Sequence, residues 1–178
     1  KSTVDSKSGD VLEAYIGETT AIPRISSEEE ERLSLQMEAG RRRMALGLAI
    51  VGASALDHLA AGITDETFAQ IEQLQATIDR ARKSNSKKLA EHVEKQAKQI
   101  EALGLDDDTF IAAVNLIKPY LGSSMDPSAV KQRWKMDATE LRRGYKELLT
   151  GRHQVDEAVV ELTRGNLRLV LWMAKKYR

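Results

Sequence analysis

The sequence has no cysteine. That excludes a disulfide framework, a cysteine-ligated zinc or iron–sulfur centre and a thiol nucleophile. It has little proline (3) and little aromatic character (4%) across its 178 residues. Few breakers and few aromatics argue against a turn-rich β protein and for long helices. Net charge is also missing, with 27 basic and 27 acidic side chains. A uniformly basic nucleic-acid coat is therefore excluded, while a local basic patch is not. No apolar run reaches the roughly 20 residues that a membrane helix needs. What remains is 42% hydrophobic and 30% charged, a globular composition long enough to bury a core. The start at Lys1 and the end at Arg178, inside a helical pattern, read as a piece of a longer protein.

The pattern along the chain predicts an all-α, multi-helix bundle. Residues 1–9 are polar and read as loose. Asp10 caps a short helix with Val11, Leu12, Tyr15 and Ile16 as its apolar stripe. A linker around Pro23 follows. Ser26 or Ser27 starts the next helix, Ser27 with Glu30 fits a capping box, and Gly40 reads as its stop. Arg41-Arg42-Arg43 then precedes the apolar run from Met44 to Leu56. That imitates a signal peptide but lies too far into the chain, so a helix buried nearly all round is expected. Phe68, Ile71, Leu74 and Ile78 give the following helix one buried face. Gly104 ends another helix, and Asp106 to Asp108 restart the pattern. Asp126 with Pro127 and then Asp137 open the remaining helices. Gly151 reads as a stop before a last helix from Arg152 to the end.

Chemistry motifs are few. There is no nucleotide-binding glycine loop, paired-histidine metal motif or nucleophile elbow. His58, His92 and His153 are scattered, and the carboxylates Glu28 to Glu31 point in different directions around a helix. No enzyme, no metal site and no cofactor is expected. Charge is uneven. Residues 1–40 carry four basic and nine acidic side chains, residues 80–98 seven and two, and residues 152–178 six and three. The basic stretch from Arg80 to Lys98 suits phosphates, although such runs are more often solvated faces. Trp134 reads as core in preference to a stacking platform. In the last helix, Val155, Val159, Leu162, Leu169 and Met173 form a stripe that Asn166 interrupts. A buried unpaired amide costs about 1–3 kcal/mol, so Asn166 needs a neighbouring helix or a ligand edge such as a base.

The segment RGNLRLVLWMAKKYR, Arg164 to Arg178, closely resembles the opening of conserved region 2.1 in bacterial RNA polymerase sigma factors of the sigma-70 class. DVLEAYIGE (Asp10 to Glu18) and IPRISSEEEERLSLQMEAG (Ile22 to Gly40) are similar to region 1.2 of the same family. The order is that of the family. Residues 41–151 look like the helical non-conserved region that primary-type factors insert between these two, and 152–178 like the start of region 2.1. The resemblance implies a fragment of sigma domain 2 with that insert, forming one compact helical domain in the cytoplasm. It implies promoter recognition and transcription initiation with core RNA polymerase, through the single-stranded non-template strand. Tyr15, Ile16 and Gly17 fall at the family's discriminator contacts, where relatives often carry a basic residue in place of Gly17. Glu30, Asn166 and Leu169 fall at its pocket for the last minus-ten base. The family places Arg168 near DNA phosphates, and Leu167, Val170, Lys175 and Lys176 towards core polymerase. Anti-sigma factors or regulators are further expected partners. The alternative is a helical protein–protein scaffold that binds a polymerase or a transcription regulator.

Overall fold

The computed structural model describes residues 25–52, 65–84, 87–122 and 126–176. All its regular elements are helices, as the sequence pattern predicts. They are α1 (Ser27–Val51), α2 (Asp65–Lys83), α3 (Leu89–Ala102), α4 (Asp107–Ile117), a 3-10 turn (Lys118–Leu121), α5 (Pro127–Trp134) and α6 (Ala138–Lys176). The described residues form two compact units. One takes the chain up to Met37 and again from Val155, and the other is Glu38–Gln154. Helices α1 and α6 each contribute to both.

Helix starts follow side-chain capping. Asp106 accepts the Thr109 N–H at 2.8 Å, Asp126 that of Ser128 at 2.9 Å, and Asp137 that of Glu140 at 2.8 Å. Each satisfies a donor that the helix itself leaves unpaired. Pro127 takes a first-turn position behind Asp126, where a missing N–H costs nothing. At α1 the cap is Ser26, whose hydroxyl accepts the Glu29 N–H at 3.1 Å. The Ser27–Glu30 box expected from the sequence is thus displaced by one residue, and Glu30 is free of that duty. Two glycines do end helices. Gly52 and Gly104 have φ of +87° and +59°, the left-handed region that side chains avoid.

Gly40 and Gly151, by contrast, are not stops. Helix α1 runs through the first and α6 through the second. Both are buried, and they face each other. A Cβ built on Gly151 would collide with the Gly40 carbonyl oxygen and come within 2.8 Å of the Met44 backbone nitrogen. Two turns along, a Cβ on Gly47 would lie 2.8 Å from the Gly144 oxygen and 2.7 Å from Leu148 Cγ. The seven-residue spacing keeps each pair on one helix face. The two helices therefore run antiparallel at backbone contact. An ion pair, Arg43 to Glu147 at 3.0 Å, flanks the seam. Each interior glycine forgoes about 1 kcal/mol of helix propensity, which this close packing offsets.

The core of this unit gathers around the seam. Leu48, Ile50, Ile78, Ile100, Ile117, Leu141 and Leu148 are all buried. The apolar run after Arg43 is enclosed almost completely from Met44 to Val51, as its composition implied. Among the described residues no helix is long and apolar enough to cross a membrane. Trp134 is core too, 1% exposed, with Tyr120 edge-on at 5.6 Å and the Arg133 guanidinium 5.9 Å from its ring centre. Helices α2 and α3 pack on one another. Between them the wholly buried Gln96 donates to Gln75 at 3.3 Å, and Gln75 donates to Asp79 at 2.9 Å. Arg82, 11% exposed, donates to the Ile50 carbonyl at 2.7 Å, to Glu140 at 2.9 Å and to Asp79 at 3.3 Å. It thus fastens α2 to the end of α1 and the start of α6.

The seam predicts a hierarchy among glycine substitutions. Gly151→Ala should lower the unfolding free energy by about 1–3 kcal/mol despite the better helix propensity, because the atom in its way is backbone. Gly122→Ala, with φ of −61° and open space around it, should be neutral within about 0.5 kcal/mol. Urea titrations of both variants check this, and equal effects would overturn the close-approach account.

Acid should weaken the caps. Hydrogen bonds from the Thr109 hydroxyl and N–H hold the Asp106 carboxyl below its ordinary 3.8, and those from Ser128 do the same for Asp126. The unfolded chain then binds more protons, so this stability is present above 3.8 and is lost as pH falls through the lower folded values. Asp106→Asn with Asp126→Asn keeps an acceptor and removes the titration. The double variant should lose less stability between pH 5 and pH 2 than the parent, measured by thermal melts; identical acid limbs would refute the assignment.

Candidate nucleic-acid interface

One unit brings the described residues 25–37 together with α6 from Val155 onward. Its buried side chains include Leu33 from α1 with Val155 and Ala158 from α6. Further along, Gly165 lacks a side chain where Ile25 lies, since a Cβ there would collide with the Ile25 side chain. Arg32 donates to Glu161 at 2.9 Å across 129 residues of sequence, and also reaches Gln36 at 3.4 Å. Both partners of that ion pair are half exposed, so its worth is about 1 kcal/mol or less. Its value is geometric: it fixes which turn of α6 stands beside which turn of α1.

These contacts place the candidate residues. Ile25 stands opposite Gly165 and Arg32 opposite Glu161. In sequence Glu30 lies between Ile25 and Arg32, and Asn166 follows Gly165. Glu30 is exposed, and its backbone N–H donates to the Ser26 carbonyl at 2.9 Å. Asn166 is exposed as well. The sequence stripe expected to bury it opens to solvent along its length: Val155 is buried, whereas Val159 is 41% and Met173 46% exposed. The desolvation penalty expected for an amide inside an apolar seam therefore does not arise. Asn166 is exposed, and its amide carries both donors and an acceptor.

The remaining candidates divide. Leu167 is half-buried and Val170 is 59% exposed. Arg168, Leu169, Lys175 and Lys176 lie on α6, but their side chains are outside the described set. Tyr15, Ile16 and Gly17 lie outside the described residues altogether. Sequence reasoning missed Gly165 and the Arg32–Glu161 pair. A glycine just ahead of Asn166 was the available signal for the first, while no local pattern announces a long-range ion pair.

Other chemistry is sparse. His92 is half-buried and His153 exposed. Glu28 to Glu31 are all exposed. Among the described residues no group of three His, Cys, Asp or Glu side chains is arranged to hold a metal ion. In the other unit a half-open groove of about 530 Å³ is bordered by Glu38, Arg41, Glu101, Asp106 and Asp107 over Ile100 and Phe110. It contains none of the candidate residues, and Asp106 and Asp107 of its border belong to the start of α4. Comparison of the chain with protein-family models, curated proteins and solved structures finds no match.

Proposed function

We propose that the chain is part of a bacterial sigma-70-class factor, carrying region 1.2, the non-conserved region and the start of region 2.1. In this reading it acts with core RNA polymerase in the cytoplasm and helps to hold the non-template strand just downstream of, and at the end of, the minus-ten element. The observation that supports it is that residues 25–37 of the first motif-bearing stretch share one compact unit with α6 from Val155, tied by Arg32 and Glu161. Glu30 on α1 and Asn166 on α6 are both exposed. A flipped base needs hydrogen bonds to its edge and an apolar surface for its face. Glu30 supplies an acceptor, Asn166 both donor and acceptor, and Leu169 the apolar cover. The role is binding, with no catalytic step assigned to this chain.

A second reading, a helical protein–protein scaffold, draws on the exposed apolar side chains Leu35, Val159, Val160, Val170 and Met173. Exposed apolar side chains of this size suit a protein partner.

The two readings part at Asn166. A base pocket requires that Asn166→Ala leave the melting temperature unchanged and weaken binding of a fluorescent minus-ten non-template oligonucleotide about fivefold, the loss of one hydrogen bond. Anisotropy titration with the intact chain gives the answer. Unchanged binding, or a variant that melts early with no effect on DNA, would refute the pocket.

A further inference from the structure

The basic stretch of the sequence is split in two by the fold. Between Asp79 and Glu91 lie Arg80, Arg82, Lys83, Lys87 and Lys88, with no acidic residue among them. Arg82 turns inward to Ile50, Asp79 and Glu140. Arg80, Lys83, Lys87 and Lys88 are all exposed, at the corner where α2 ends and α3 begins. A helix C-terminus carries about half a negative charge, which a single cation matches, so the corner holds a surplus. Along α3 the surplus disappears. Glu91 and Glu94 precede Lys95 and Lys98 at four-residue spacing, the arrangement that balances charge along a helix.

The corner is held firmly. Ile78 and Ala81 of α2 and Val93 and Ala97 of α3 are buried, and the Gln75–Gln96 hydrogen bond links the two helices. None of its described exposed side chains is a large apolar one. The exposed large hydrophobic side chains among the described residues are Leu35, Leu149, Val159, Val160, Val170 and Met173, none of them on α2 or α3. Protein interfaces have an apolar centre, whereas contacts to a phosphate backbone are polar and positively charged.

We infer that the α2–α3 corner is a binding surface for the phosphate backbone of duplex DNA, with Arg80, Lys83, Lys87 and Lys88 as its contacts. It reads charge and not sequence. It is independent of the single-strand reading above, since its residues belong to the other unit and require only phosphates.

The probe is a short fluorescein-labelled DNA duplex of arbitrary sequence, titrated with the intact chain over a range of salt concentrations. Four contacts predict a slope of about −3 to −4 in a plot of log affinity against log salt. Lys83→Glu with Lys87→Glu should weaken duplex binding roughly tenfold or more at low salt and reduce the slope by about two. Both residues are exposed, and circular dichroism verifies that the variant keeps its helices. Asn166→Ala should leave duplex binding as it was, and the lysine variant should leave single-strand binding as it was, so either reading can fail alone. No duplex binding at low salt, or binding indifferent to the charge reversal, would overturn the inference. So would competition by a polyglutamate peptide equal to that of unlabelled duplex, which would assign the corner to an acidic protein.

Discussion

The contact between α1 and α6 at Gly40, Gly47, Gly144 and Gly151 constrains everything else in the Glu38–Gln154 unit. Backbone meets backbone there: an added Cβ would meet the Gly40 oxygen at Gly151, the Gly144 oxygen and Leu148 at Gly47, and Val51 at Gly144. Register is therefore set in steps of a whole heptad. A slip of one residue would bring a Cβ onto an oxygen at both crossings. With that register, the end of α1 comes beside the start of α6, and one side chain can reach both. Arg82 does so, bonding the Ile50 carbonyl and Glu140 together. The arginine thus depends on the glycines, although it lies on a different helix.

The same contact explains where local rules misread the chain. Glycine is punctuation in an isolated helix, because it gives up propensity and tolerates left-handed backbone. By that rule Gly40 and Gly151 end helices, yet helices continue through both. The information was present in pairs: Gly40 with Gly47, and Gly144 with Gly151, each seven residues apart on a helical pattern. A lone glycine followed by a new capping residue, such as Gly104 before Asp106, does end a helix. Caps were more legible, since a carboxylate reaching the N–H two or three residues on is a local event. Asp106, Asp126 and Asp137 follow from sequence alone, and the cap of α1 differs by only one serine.

The candidate site shows a different limit. Periodicity identifies an apolar stripe on α6, but it does not say whether another surface covers that stripe. Val155 is covered, while Val159 and Met173 are largely open. Asn166 shares the open part, so its polarity needs no buried partner and is available for recognition. Charge balance misleads in a similar way. The acidic N-terminal segment and the basic C-terminal segment suggest acids on α1 pairing with bases on α6. The two ion pairs between these helices among the described residues have the opposite sense, Arg32 on α1 with Glu161 on α6 and Arg43 on α1 with Glu147 on α6. Net charge over forty residues describes a field, whereas a salt bridge depends on which two turns stand side by side.

That distinction also governs the basic stretch. An arginine drawn out of water needs enough acceptors to replace its hydration, and a buried charge with fewer is strongly destabilising. Arg82 has three acceptors from three different segments, so its charge is spent on assembly. Its neighbours in sequence have no such enclosure. Counting the run as five equivalent cations would therefore overstate the outward charge and overlook the inward one. Loss of Arg82 would leave Glu140 and the Ile50 carbonyl without this donor, and any effect on ligand binding would follow from a damaged fold. Loss of Lys83 or Lys87 removes charge from a surface that the rest of the helix pair holds in place. A single compositional feature thus contains one structural residue and four surface ones, and only the geometry of α1, α2 and α6 tells them apart.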